Sequence, residues 1–181
     1  ATPASWRLLL DADWKGDASF KILCGGEALP QDLAATLLQR CGSLWNVYGP
    51  TETTVWSTCA RVQAGDDARI DINIGRPIDN TQVWILDPRG ELCPLGVPGE
   101  IWIGGDGVTL GYLNRPELTS ERFVPDPFAG APGAQLFLDG GRDPRHRQLD
   151  ARCVAGEPRH EPGQQRQLDL VGALDPEALR G

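Results

Sequence analysis

The 181-residue sequence contains no methionine, not even at position 1, and only two histidines. It opens inside a helical pattern (Thr2, Pro3, Ser5, Trp6, Leu8, Leu9) and so reads as an internal piece of a longer polypeptide. No apolar run is long enough to cross a bilayer, and no charged segment followed by an apolar stretch marks a targeting signal. A basic face is missing too: the formal net charge of −8 argues against nucleic acid as a partner, and nothing points to a membrane. The five cysteines (Cys24, Cys41, Cys59, Cys93, Cys153) are scattered, odd in number and without paired metal-ligand spacing. That pattern fits reduced thiols in a cytoplasmic protein. His146 and His160 stand alone and do not make a metal site.

What is present is a chain long enough to bury one core, with alternating element signals in its first third. Thr2 can cap a helix with Pro3 at its first position. Phe20 to Cys24 reads as a short strand ending in a Gly25-Gly26 turn, and a helix opening at Pro30 carries Leu33, Ala34, Leu37 and Leu38 on one face. Leu44 to Val47 is the next strand, so a βαβ unit and a parallel pair follow. Beyond about Ser57 the pattern turns to strands and tight turns. Thr58–Val62, Thr81–Leu86 and Glu100–Ile103 are strand-like, Asp87-Pro88-Arg89-Gly90 and Val97-Pro98-Gly99-Glu100 have reverse-turn chemistry, and Pro116 to Arg122 reads as a short helix. Gly104-Gly105 and Gly107 lack the following helix that a dinucleotide loop requires.

Chemistry concentrates in Asn46-Val47-Tyr48-Gly49-Pro50-Thr51-Glu52-Thr53-Thr54-Val55. An amide, a phenol, a hydroxyl and a carboxylate share one loop, which Gly49 and Pro50 are expected to bend sharply as a strand ends. An aromatic face for a base, a hydroxyl for a phosphate and a carboxylate for magnesium suit a nucleotide. The competing reading is a core tyrosine, a turn-capping asparagine and a solvated glutamate at a helix start.

This run resembles the Tyr-Gly-Pro-Thr-Glu loop of adenylate-forming enzymes, and among them the amino-acid-activating adenylation domains of nonribosomal peptide synthetases. Three further stretches match in order: Ile22 to Leu29 with its Gly-Gly-Glu, Ile74-Gly75-Arg76-Pro77-Ile78 with Thr81-Gln82-Val83, and Gly99 to Gly105 through Gly111-Tyr112-Leu113 and Arg115 to Thr119. The resemblance implies an α/β fold: part of the large domain of the acyl-CoA synthetase/luciferase-like architecture, a βαβ layer leading into a β-rich subdomain. It assigns residues 1–137 to the C-terminal half of the AMP-binding domain and leaves 138–181 as a non-homologous tail. That tail has no aromatic residue and no isoleucine, with Arg, Pro, Gly and Asp dominant, and is expected to be disordered.

By resemblance, Gly26, Glu27, Ala28, Asn46, Val47, Tyr48, Gly49 and Thr51 bind ATP. Tyr48 stacks on adenine, Asn46 meets its exocyclic amine, and Thr51 donates to the α-phosphate. Thr51 and Glu52 are the catalytic pair, with Glu52 holding Mg²⁺. Leu23, Gly25, Val47, Val55 and Trp56 line the pocket for the acid substrate, with Ala1 a further candidate. That set is apolar and implies a neutral side chain. Whether the acid is an amino acid or another carboxylic acid stays open. Arg76, Glu100 and Asp106 read as structural.

The implied reaction joins a carboxylate to the α-phosphate of ATP and passes the acid to a phosphopantetheine thiol on a carrier domain. Carrier and condensation domains of a parent synthetase are then the expected partners. The family's Thr-Gly-Asp motif, whose aspartate grips the ribose, is expected after Leu136-Phe137. Here Leu138-Asp139-Gly140-Gly141-Arg142 follows. Were Asp139 to Arg142 encoded GAC-GGG-GGA-CGN, reading one base later would give Thr-Gly-Asp. A frameshift near residue 137 is therefore one reading of the tail, and an unusual natural linker the other. The ribose aspartate is thus read as lost, the family's phosphate loop and catalytic lysine are not recognisable, and no lysine follows Lys21, so the chain by itself is expected to be inactive. Two alternatives stand beside the synthetase reading: a stand-alone acyl-CoA or aryl-acid ligase, and a non-catalytic remnant.

Overall fold

The computed structural model describes residues 1–65, 69–94, 96–130 and 132–140. The tail expected from residue 138 is described only through Gly140, with Leu138 ending a strand rather than starting a disordered segment; from residue 141 on, with both histidines and Cys153, it lies outside the described residues.

Helix α1 (Pro3–Asp11) begins where the sequence predicts, the Thr2 hydroxyl accepting from Ser5 N at 3.2 Å. Strand β1 (Asp17–Gly25), helix α2 (Gln31–Leu38) and strand β2 (Cys41–Tyr48) form the predicted βαβ unit, with β1 and β2 parallel. Ile22 lies opposite Leu44, and Cys24 opposite Asn46. The α2 stripe of Leu33, Ala34 and Leu37 closes on Ile22, Cys24 and Leu44, all essentially inaccessible. Each such leucine or isoleucine contributes about 1.5–3 kcal/mol by leaving water. An Arg7–Asp32 ion pair at 2.8 Å ties α1 to α2 at the surface.

Strand β3 (Thr58–Ala64) returns antiparallel to β2, with Tyr48 facing Thr58 and Leu44 facing Val62. Strands β4 (Ile70–Asp71) and β5 (Arg76–Pro77) pair with β3, so Arg76-Pro77 does form a strand edge. The chain then builds a second, antiparallel sheet. Strands β6 (Thr81–Leu86) and β7 (Glu100–Gly105) are followed by helix α3 (Pro116–Arg122), β8 (Phe123–Pro125) and β9 (Gln135–Leu138), in the order β6-β7-β9-β8. Its core of Val83, Ile85, Ile101 and Ile103 receives Tyr48 and Ile74 from the first sheet, which places the end of β2 at the junction.

Two local expectations change. The turn before β7 is Pro94 to Val97, closed by Val97 N to Pro94 O at 3.0 Å, rather than Val97 to Glu100. Gly99 answers to close approach instead, since a Cβ there would sit 2.6 Å from Leu86 O. Gly49 likewise does not use a positive φ. It is needed because a Cβ would lie 2.7 Å from both Ser57 N and Val55 O, where the loop folds back on itself.

Candidate functional site

The loop after β2 is held by its own backbone and by the second sheet. Pro50 leads into a short 3-10 turn, Thr51–Thr53, and Ser57 N returns to Tyr48 O at 2.8 Å. Thr54 and Val55 follow at φ +59° and +72°. For β-branched residues this left-handed backbone is strained, at roughly 1–3 kcal/mol each. The cross-links that hold it come from the segment after β7: Thr109 N donates to Glu52 O at 2.8 Å, and the Thr54 hydroxyl to Gly107 O at 2.7 Å.

Beside this loop lies a cavity of about 710 Å³. Gly26, Glu27, Ala28, Asn46, Val47, Tyr48 and Gly49 line it, so seven of the eight sequence-predicted nucleotide residues share one wall. The wall forms because Gly26, at φ +85°, turns the chain as β1 ends alongside the end of β2. Asn46 is 7% exposed and donates through Nδ2 to Asn73 O at 2.8 Å, which leaves its Oδ1 as an acceptor. Ile72, Asn73 and Ile74 supply the facing side.

Thr51 and Glu52 are not on the cavity wall; they follow its lining residue Pro50 in the 3-10 turn. The acid-pocket candidates separate by sheet face. Strand alternation and the paired registers put Asn46 and Tyr48 on the α2 side, and Leu23, Gly25 and Val47 on the other. Trp56 reaches that second face at Gly25, where a Cβ would meet its ring at 2.6 Å. Ala1 lies alongside, its ammonium donating to Leu23 O at 3.0 Å. Val55 is 56% exposed on the loop, and Leu23 is 39% exposed, with no described element layered over it.

Two carboxylates that the sequence did not single out in these pairings define the electrostatics. The Tyr48 phenol donates to Asp139 Oδ2 at 2.6 Å, and Asp139 itself lines the cavity. Burial, then the charge and hydrogen bond of Asp139, push the Tyr48 phenol well above its ordinary range. The Tyr112 phenol donates to Glu52 Oε1 at 2.5 Å. Burial and that same carboxylate hold it at about 12. Both contacts have the length of charge-assisted hydrogen bonds. Cys24, pushed up to about 11 by burial, is an inert core thiol.

Among the described residues no three His, Cys, Asp or Glu side chains gather into a metal cage. Glu52, a single carboxylate two residues beyond the cavity-lining Pro50, fits magnesium, which takes one or two carboxylates together with substrate phosphates. Sequence reasoning took the family's ribose aspartate to be lost at the break after Phe137. The structure runs β9 to Leu138 and puts Asp139 at the cavity. The signal for that was slight, a three-residue apolar run, Leu136 to Leu138, followed by an acid.

Comparison with known proteins is consistent with this geometry. The family model described as AMP-binding enzyme matches residues 1–113. The chain is 42% identical over 142 residues to bacitracin synthase 3 of Bacillus licheniformis, covering 77% of this chain and 2% of that one. It is 44% identical over 140 residues to a dimodular nonribosomal peptide synthase of Bacillus subtilis (strain 168), covering 77% and 6%. The chain thus spans a small fraction of the length of these relatives. Among solved structures, a holo four-domain nonribosomal peptide synthetase bound to AMP and glycine superimposes with a TM-score of 0.68 at 51% identity, over 77% of this chain and 10% of that one. A synthetase protein containing adenylation and PCP domains, bound to a vinylsulfonamide inhibitor, gives 0.66 at 32% identity over 77% and 25%.

Proposed function

Because this chain belongs to the AMP-binding enzyme family, in the branch of nonribosomal peptide synthetase adenylation domains, we propose that its cavity holds ATP during the activation of a carboxylic acid. The observation that carries this reading is the shared wall: Asn46, Tyr48 and the Gly26-Glu27-Ala28 backbone surround one cavity of nucleoside size. Asn46 Oδ1 accepts from the adenine amine, the Tyr48 ring supplies the stacking face, and Asp139 offers acceptor oxygens to the sugar hydroxyls.

Thr51 and Glu52 lie where the phosphates leave the cavity. Glu52 would hold magnesium, which supplies charge neutralisation at the phosphates. The acid, in the amino acid class and with a neutral side chain, sits on the opposite sheet face against Leu23, Gly25, Val47 and Trp56. Its carboxylate attacks the α-phosphorus across the glycine-lined ends of β1 and β2, and pyrophosphate leaves. A phosphopantetheine thiol of a carrier domain then takes the acyl group and releases AMP. Carrier and condensation domains are the partners of this chemistry.

Calorimetry with ATP tests the reading. Tyr48→Ala is expected to weaken binding roughly 10-fold, the loss typical of one aromatic stacking contact on a base. Equal affinity in wild type and variant would remove the cavity from consideration. ATP–pyrophosphate exchange is expected to be absent from the 181-residue chain, which has no lysine beyond Lys21 to neutralise the reacting phosphate.

A further inference from the structure

Tyr112 lies 60 residues from Glu52 in sequence, yet its hydroxyl reaches Glu52 Oε1 at 2.5 Å. The contact is one of three between the same two segments. Thr109 N holds Glu52 O, and the Thr54 hydroxyl holds Gly107 O. Gly107 packs so close to the loop that a Cβ there would lie 2.9 Å from Thr53 O.

The phenol is itself fixed from behind. Tyr112 N donates to the Thr119 hydroxyl at 2.9 Å, and that hydroxyl donates to Arg115 O at 2.9 Å in the first turn of α3. The Tyr112 ring meets Phe123 edge-on at 5.5 Å. Gly111, at φ +128°, lets the chain pass Thr119, whose Cγ2 would stand 2.3 Å from a Cβ. A side chain braced this thoroughly, with its one side-chain polar atom spent on the Glu52 carboxylate, has a directional task.

We propose that Tyr112 is a positioning residue for Glu52: its hydroxyl occupies Oε1 and presents Oε2 to a divalent cation bound with the nucleotide phosphates. This rests on the reading of Glu52 as the magnesium carboxylate. Losing the hydroxyl lets the carboxylate rotate about its terminal torsions, and the cation loses a pre-aimed ligand. The ring packing on Phe123 does not depend on that oxygen, so Tyr112→Phe separates aiming from folding.

The test is a titration of the chain with Mn²⁺ at saturating ATP, followed by water-proton relaxation, in wild type, Tyr112→Phe, Glu52→Gln and the double variant. The expected result is a Mn²⁺ affinity about 10-fold weaker in Tyr112→Phe. ATP affinity in EDTA is expected to stay unchanged, and the second substitution to have no further effect in the Glu52→Gln background. A wild-type metal response that Glu52→Gln abolishes and Tyr112→Phe leaves intact overturns the positioning role alone. A metal response that Glu52→Gln also leaves intact overturns the reading of Glu52 and the proposal with it. Should Tyr112→Phe fold poorly, 3-fluorotyrosine at position 112 supplies the answer in an otherwise native chain. Its ¹⁹F resonance is expected to move on adding Mg²⁺ to the ATP complex, and a stationary resonance overturns the proposal.

Discussion

Tyr48 and Tyr112 are the chain's two tyrosines, and each gives its hydroxyl proton to a carboxylate. Both phenols are raised above the ordinary value near 10, by burial first and by the acceptor carboxylate after it. A raised phenol contributes stability that is fully present below the unfolded value and lost as pH rises through the folded one. For Tyr112 that window runs from about 10 to about 12. Absorbance at 295 nm is therefore expected to show no phenolate in the folded chain at pH 10, and a joint step when alkali unfolds it. An ordinary titration centred at 10 would mean that neither hydrogen bond persists in solution. At this scale the sequence revealed Tyr48 and Asn46, because their neighbours in the loop announce a ligand. Asp139 stayed hidden since 91 residues separate it from Tyr48, and no local pattern links the two.

Among elements, the βαβ unit was readable from its apolar periods, and helix α3 from Pro116 at its start. The strands β8 and β9 were not. They have three and four residues, shorter than any window in which alternation can be told from chance. Their existence depends on pairing, Phe123 with Phe137 and Trp102 with Leu138, between segments far apart in the chain. The consequence for the site is direct, because β9 carries Asp139 to the cavity. Leu136 is fully buried at the middle of that strand. Leu136→Ala is expected to cost about 2–5 kcal/mol in urea unfolding and to weaken ATP binding as well, although Leu136 does not line the cavity. Unchanged ATP affinity in a destabilised but folded variant would separate β9 from the site.

Over the whole molecule, the two sheets meet where Tyr48 and Ile74 enter the second core, and the cavity opens along that meeting. The cavity lining is thus divided between sheets, with Asn46 and Tyr48 from one and Asp139 from the strand end of the other. Saturation at 100 times the dissociation constant is worth about 2.7 kcal/mol of folding stability. Hydrogen exchange is expected to slow in both β2 and β9 when ATP is added. Protection confined to β2 would place the nucleotide away from Asp139. The second sheet's order, with β9 between β7 and β8, was not legible in the sequence, since nothing local dictates which distant strand a short segment will choose.

The paired left-handed residues Thr54 and Val55 make a strained corner that is held from outside the loop. Neither residue prefers that twist, and it is kept by the Thr54 bond to Gly107 and the Thr109 bond to Glu52. The cost of that twist is therefore borne by contacts from outside the loop, and removing the Thr54 hydroxyl, as in Thr54→Val, would take away one of the two bonds that keep the corner wound beside Glu52.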